Sequence, residues 1–311
     1  MNRCEGDPKT FALYSFPFDA LGTACLLHLY AGSADEAESI ATAAIDEVMR
    51  IELRYSRYLD ESTLSAINRA AAAAEMVVVD EETAALLDYA IACYRKSDGL
   101  FDITSGILRK AWNFNTKRLP ETAEIQALQD RVGMDKLKWH RPYLGFEVPG
   151  IELDFGGMGK EYAADRVADV CAEHGIRHGL VDLGGDIRVF GPHADGSSWR
   201  VGISDPRNPE QALCTVDLRA GALATSGDYE RFIEIDGQRY GHILNPHTGW
   251  PIHEFRSVSV CADQCLLAGS LSTIGMLKGA AGKAWLASIG FDHLWVDQWG
   301  NQGGTLNALI T

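Results

Sequence analysis

Nowhere in this 311-residue chain does an apolar run approach the roughly 18 to 20 residues that a membrane-crossing helix needs. Basic residues are also few. Lysine and arginine number 28 against 43 aspartates and glutamates, a net charge of −15, which repels both a phosphate backbone and an anionic bilayer surface. Nucleic acid and a membrane span are therefore not expected. With ten prolines, no low-complexity tract and no Pro- or Ser-rich linker, a disordered or collagen-like chain is excluded, and no domain boundary can be read from composition. The seven cysteines are odd in number and include no C-x-x-C pair, so reduced thiols and a cytoplasmic protein are expected. Met1 to Gly22 carries Glu5, Asp7 and Asp19 and lacks the continuous apolar core of a signal peptide. Cys4 stands where a lipoprotein anchor would, without the apolar stretch that should precede it. A periplasmic protein whose signal has been removed is the alternative.

What is present is a globular composition, 46% hydrophobic and 23% charged, with chain enough to bury a core. Ala20 to Ala31 is apolar and partly alternating. Ser33-Ala34-Asp35-Glu36 is an S-x-x-E capping box, and the helix it opens runs to about Arg54 with apolar positions Ile40, Ala41, Ala44, Ile45, Val48 and Met49 at three- and four-residue spacing. Further helices are expected at about 62–74, 82–96 and 121–131. From Lys136 the pattern becomes short runs (LKWH, FEV, IELDF), then a helix from Lys160 to His174, then strands from HGLVDL to RSVSVC with Asp236-Gly237 as a two-residue hairpin turn. Two helices, about 266–278 and 281–289, precede DHLWVD and a C-terminal strand. Strands without regular β-α alternation predict an α+β fold.

Three segments and one histidine carry candidate chemistry. Asp154-Phe155-Gly156-Gly157-Met158-Gly159-Lys160-Glu161-Tyr162 reads as a strand end, a glycine-rich turn and a helix start, where bare backbone N–H groups suit a phosphate or pyrophosphate. It fits neither a Walker loop, which needs Ser or Thr where Glu161 stands, nor a dinucleotide fingerprint, which needs a small residue near Tyr162. A packing turn is the competing interpretation. Asp182-Leu183-Gly184-Gly185-Asp186 is a second glycine pair, and Ala224 to Arg231 (ATSGDYER) clusters hydroxyls, carboxylates and an arginine. His242 ends a strand before the turn Asn245-Pro246-His247-Thr248-Gly249, either as a half-buried strand histidine or as a general base. The chain has no H-E-x-x-H and no G-x-S-x-G, which excludes a zinc protease of that kind and leaves a serine hydrolase without its elbow.

Taken in order, these segments resemble the ApbE-type flavin transferases, the FAD:protein FMN transferases. Leu21-Gly22-Thr23 resembles M-G-T, and Ser56-Arg57-Tyr58 with STLSAIN (62–68) resembles S-x-Y…S-x-L-S-x-x-N. Gly99 to Thr104 (GLFDIT) resembles G-A-F-D-x-T, DFGGMGKEYAAD resembles L-D-L-G-G-I-A-K-G-Y-A-x-D, and VDLGGDI resembles N-L-G-G-D-I. ATSGDYER, HILNPHTG and VSVCADQCLLAGSLST complete the series, which covers roughly Phe18 to Val296. The resemblance implies a single domain over 18–311, built of two intertwined subdomains meeting near 135. Helices and mostly antiparallel sheets would hold FAD between a helical N-terminal part and a strand-rich C-terminal part. It implies that FAD is cleaved with Mg²⁺ and FMN passed to a threonine or serine hydroxyl of an acceptor protein. Flavin contacts would fall on Leu21, Tyr58, Leu100, Phe101, Asp102, Gly156, Tyr162 and Ile243, with His242 as the catalytic base and Gly159 and Thr273 at the metal.

The chain departs from the family's pattern at several places. In the closing motif, A-D-A-L-S/A-T, the aspartate position is Gly269, so the resemblance leaves Mg²⁺ without its main anionic ligand. Glu161 replaces a glycine and adds a negative charge near the expected phosphates. Gly241, Asn245 and His247 replace a histidine, an aspartate and an arginine. Asp263 is the nearest carboxylate before Gly269 in the chain. A flavin-binding or flavin-delivery protein that has lost the metal site is the alternative function.

Overall fold

The structure, a computed structural model, describes residues 11–114, 116, 118–228 and 231–306. Cys4, with its anchor reading, lies outside them, as do Tyr229 and Glu230 of the ATSGDYER segment. In chain order the elements are β1 (Ala12–Ala20), β2 (Thr23–Ala31), α1 (Ala34–Tyr55), α2 (Thr63–Ala72), β3 (Val77–Val78), α3 (Glu81–Lys96), α4 (Thr122–Gln129), β4 (Leu137–His140), β5 (Tyr143–Phe146) and α5 (Gly159–Glu173). There follow β6 (Gly179–Leu183), β7 (Ile187–Val189), β8 (Trp199–Asp205), β9 (Asn208–Leu218), β10 (Gly221–Gly227), β11 (Phe232–Ile235), β12 (Gln238–Gly241), β13 (Phe255–Ala262), α6 (Cys265–Leu277), α7 (Gly282–Ser288), β14 (His293–Asp297) and β15 (Gln302–Gly304).

Eight strands form one antiparallel sheet in the order β1-β2-β6-β7-β10-β13-β14-β15. The fold is thus α+β with antiparallel sheets, as expected. Its register decides where the chemistry can be. Cys25 pairs with Leu183, Asp182 with Ile187, Leu223 with Ile187, and Gly227 with Ser257, so the β1–β2 turn, the β6–β7 turn, the end of β10 and the start of β13 all lie at one end of the sheet. Helices α1 and α6 run back toward that end after β2 and β13, and α5 leaves from it.

Local signals explain most elements. The Ser33 hydroxyl accepts from the Glu36 amide at 3.2 Å while the Glu36 carboxylate accepts from the Gly32 amide at 2.8 Å, which satisfies two donors at the start of α1. The buried stripe of α1 is Ala37, Ile40, Ala41, Ala44, Val48 and Ile51. It is narrower than the spacing implied, since Met49 is exposed.

Four local expectations change. β1 is an additional strand: Tyr14, Phe16, Phe18 and Ala20 alternate inward with Ser15, Pro17 and Asp19 outward along the sheet edge. IELDF (151–155) forms no strand and pairs with none among the described residues. Asn68 supplies its hydrogen bonds instead, donating to the Leu153 carbonyl at 3.0 Å and accepting from the Leu153 amide at 2.7 Å. The FEV run lies at the end of β5, which begins at Tyr143. The RYGHIL strand stops at Gly241, leaving a single bridge between Leu244 and Pro251.

Candidate active site

The β1–β2 turn is made by Leu21 and Gly22, both at positive φ (55° and 72°), and a side chain at such an angle costs about 1 kcal/mol or more. The Leu21 amide donates to Glu52 near the end of α1 at 3.0 Å, which holds the turn. Just beyond α1, Arg57 pairs with Asp154 and lies over the Tyr58 ring at 4.8 Å. Tyr58 is 69% exposed, an open aromatic plate beside the glycine-rich turn. Burial pulls its hydroxyl upward, but hydrogen bonds from Arg231 and Arg57 outweigh that and leave it below the usual phenol range.

Asp154 also accepts from the Gly156 amide at 2.8 Å, which bends the chain into the turn. Gly156 and Gly157 are exposed, and a Cβ on Gly157 would stand 4.0 Å from the ring of buried Phe101, which floors the turn. α5 begins at Gly159 without a side-chain cap; the Met158 and Gly159 N–H groups donate to the Phe155 carbonyl at 2.9 and 2.8 Å, closing the turn, and the positive end of the helix faces the glycines. The DLGGD turn closes in from the side: Gly184 leaves no room for a Cβ against Thr23 (2.6 Å), and Asp186 pairs with Lys160 at 2.8 Å. The LGT, DFGGMGKE and DLGGD motifs are thereby brought together.

Behind the turn, α5 and α6 pack antiparallel in a fixed register. Asp165 accepts from the Cys265 and Leu266 amides at 2.8 and 2.9 Å and so caps α6. One turn back on α5 is Glu161, and one turn on along α6 is Gly269. They meet: a Cβ on Gly269 would lie 2.5 Å from Glu161 Cγ and 2.6 Å from its Oε1. Glu161 is 6% exposed and its Oε2 has no hydrogen-bond partner. Burial, reinforced by the negative charge of Asp186, holds its carboxyl well above the usual carboxylate range. A further turn on each helix brings Thr273 and the glycine-rich turn, and Thr273 Oγ1 lies 2.9 Å from Ser226 Oγ of the ATSGD segment. Asp263 precedes α6 and is exposed, about 12 Å of helix away from Thr273. It does not take the place of an acid at 269. Among the described residues, no group of three or more His, Cys, Asp or Glu side chains is arranged to hold a metal ion.

His242 is half-buried with Nδ1 3.3 Å from the Arg231 carbonyl. A carbonyl only accepts, so in that contact Nδ1 is the donor. Gly241 has no room for a side chain, since its Cβ would stand 2.9 Å from Asp228 Cβ. Asp228 itself is buried between Arg256 (3.1 Å) and Arg239 (3.5 Å), and burial outweighs both cations in raising its carboxyl. Ile243 and Leu100 pack against the same apolar cluster around Phe255, and a Cβ on Gly99 would lie 3.2 Å from the His247 ring. The GLFD and HILNPHTG loops are therefore neighbours.

Two expected contacts have their polar groups engaged by the scaffold. The Tyr162 hydroxyl donates to Glu82 at 2.8 Å, tying α5 to α3. Asp102 accepts from Thr104 N and Oγ1 and from the Met134 amide, with burial raising its carboxyl despite them. Asn68, Arg57, Asp154 and Asp228 are not among the expected site residues, although each lies inside one of the motifs. A surface groove of about 600 Å³ lined by Phe114, Phe232, Glu234 and Asp236 contains none of the expected residues.

An antiparallel α+β scaffold whose ordered motifs gather around one uncapped helix start is the architecture of a known group. The ApbE family profile matches residues 21–295, and the chain belongs to that family. A relative from Escherichia coli (strain K12), named FAD:protein FMN transferase, is 33% identical over 211 residues, 65% of this chain and 60% of its own length. One of the same name from Treponema pallidum (strain Nichols) is 33% identical over 83% of this chain and 77% of its own. The chain thus spans 60% of the length of the Escherichia coli relative. Among solved structures, the ApbE protein of Thermotoga maritima superposes with a TM-score of 0.86 at 31% identity, covering 96% of this chain and 100% of its own. The flavin transferase ApbE of Vibrio cholerae gives 0.85 at 26% identity with the same coverage.

Proposed function

We propose that the chain is an FAD:protein FMN transferase, cleaving FAD and attaching FMN to a threonine or serine hydroxyl of an acceptor protein. The observation that supports this most directly is the gathering of the LGT, DFGGMGKE and DLGGD motifs around the uncapped start of α5, in a chain similar along its length to proteins of that name. In this reading FAD lies between the helical and strand-rich parts. The flavin meets Leu21, Tyr58, Leu100, Phe101, Asp102, Tyr162 and Ile243, while the pyrophosphate lies over Gly156 to Gly159. There the positive end of α5 and its N–H groups offset phosphate charge.

His242 positions and deprotonates the acceptor. Its Nδ1–H faces the Arg231 carbonyl, so Nε2 takes the hydroxyl proton as the acceptor oxygen bonds to the phosphorus on the flavin side. The bond from that phosphorus to the bridging oxygen breaks, and its electron pair leaves with AMP. Mg²⁺ would be held by the Gly159 carbonyl and the Thr273 hydroxyl and would neutralise charge on the phosphates. The test is to incubate the protein with FAD, Mg²⁺ and a flavinylatable acceptor, then follow AMP by chromatography and covalent flavin by in-gel fluorescence. Both products are expected from the wild type. His242→Ala is expected to bind FAD with unchanged affinity and to transfer none; transfer by that variant would remove His242 from the role.

A further inference from the structure

We propose that Glu161 is the anionic metal ligand of this chain, its carboxylate reaching from α5 into the space that the absent side chain of Gly269 leaves on α6. The inference deepens the transferase reading and takes its reason for a metal from it, but its support is geometric. Three observations converge on this carboxylate.

The first is an unfilled valence. Glu161 is buried, and its Oε2 is left without a hydrogen-bond partner, a condition that costs free energy unless something meets it. Protonation does not remove the difficulty, because an O–H at that position would also lack an acceptor. A hard cation does remove it.

The second is charge. Around Glu161 stand Asp186 and Asp165 among the acids and Lys160 and Arg188 among the bases. Lys160 is paired with Asp186 at 2.8 Å, and Arg188 with Asp165 at 3.0 Å, where Asp165 also caps α6. Among the described residues the ion pairs of these bases run to Asp186 and Asp165, so three carboxylates share two cations and the local balance is negative. A divalent cation reverses it.

The third is register. Asp165 against Cys265 and Glu161 against Gly269 fix α5 and α6 turn by turn, and the next turn sets Thr273 beside the glycine-rich turn that ends at Gly159. A carboxylate, a hydroxyl and a main-chain carbonyl are the oxygen donors Mg²⁺ takes. The contact at Gly269 is also exclusive: a side chain there would collide with Glu161 Cγ at 2.5 Å. Position 269 can be acidic only if position 161 is small. Glu161 and Gly269 are therefore one substitution written at two places.

Mn²⁺ serves as the probe, titrated into the full-length protein and read by the loss of its free aqueous electron paramagnetic resonance signal, with and without FAD, then displaced with Mg²⁺. Wild type is expected to bind one ion and Glu161→Gln to bind it at least about tenfold more weakly, since even outer-shell changes cost that much. The double variant Glu161→Gly/Gly269→Asp, which moves the carboxylate to α6 and relieves the collision, is expected to recover the affinity. It also keeps the proposal testable if Glu161→Gln folds poorly by circular dichroism. Equal Mn²⁺ affinity in wild type and Glu161→Gln overturns the assignment, as does a wild type that binds none. Transfer of FMN with Mn²⁺ held independently of Glu161 would sink this inference alone. Glu161-dependent Mn²⁺ binding with FAD left intact would sink the transferase reading alone.

Discussion

Asn68 grips the backbone of Leu153 from both sides, its amide donating to the Leu153 carbonyl at 3.0 Å and accepting from the Leu153 N–H at 2.7 Å. A side chain thus acts as the missing neighbour strand for the segment that delivers Asp154 and the glycine-rich turn. Asn68→Ala would leave both backbone groups of a fully buried residue unpaired. A loss of about 2 to 4 kcal/mol in denaturant unfolding is expected, together with weaker FAD binding. Asn68→Asp keeps the acceptor and loses the donor, so it is expected to fall between; an unaffected Asn68→Ala would show that the segment holds its shape without the clamp.

The Glu161–Gly269 contact predicts a sign as well as a size. Gly269→Ala places a Cβ 2.5 Å from Glu161 Cγ, and overpacking of this sort costs about 1 to 3 kcal/mol. In a Glu161→Gly background the same change should cost nothing or stabilise. The two positions then show a coupling in a double-mutant cycle that additive behaviour would contradict.

Acid should act through Glu82. Arg50 donates two hydrogen bonds to its carboxylate, which together with one from Tyr162 outweigh burial and hold it below its ordinary value of 4.5. Below that value the unfolded chain binds the proton more readily than the folded one. The stabilisation is therefore present above pH 4.5 and lost as pH falls through the depressed folded value. Melting temperatures taken between about pH 3 and 6 should fall with acid in the wild type and fall less steeply in Glu82→Gln.

Trp112 is buried and donates its indole N–H to the Gly249 carbonyl at 2.8 Å, anchoring the far end of the loop that begins at His242. Trp112→Phe keeps most of the ring and leaves that carbonyl unpaired, at an expected cost of about 1 to 3 kcal/mol. FMN transfer should slow and FAD affinity fall, because the loop carries both the base His242 and the flavin contact Ile243. An unchanged rate in steady-state assays would mean that the loop is held by its other contacts, such as Gln129 to the Pro246 carbonyl at 3.1 Å.

The sequence made some of these relationships visible and hid others for identifiable reasons. Capping at Ser33, the periodicity of α1 and the hairpin at Asp236-Gly237 are local, and the chain shows them plainly. The order of the motifs pointed to the family because each is short but their succession is not. Asn68 was visible only as a letter in a motif, since its partner Leu153 lies far along the chain. The glycine at 269 read as a loss, and the glutamate at 161 as an unwelcome charge, because only the packing of α5 on α6 shows that they occupy one space. β1 has the alternation of a strand in Tyr14, Phe16 and Phe18, but Pro17 in its middle reads against one, and only its place at the sheet edge beside β2 accommodates that proline.

The register of the central sheet gives the molecule a working end and a far end. The β1–β2 and β6–β7 turns gather at the first, while the β8–β9 ribbon leaves from the opposite tips of β7 and β10 and folds back over the sheet, Val201, Ile203 and Val216 packing with Ile187, Val189 and Leu223 and Arg207 at its tip reaching Gly300. The ribbon is therefore a second layer over the sheet, which ties the far end to the working one through a shared core. A change that loosened this cover would be felt at the turns around Gly159 although it touched none of them.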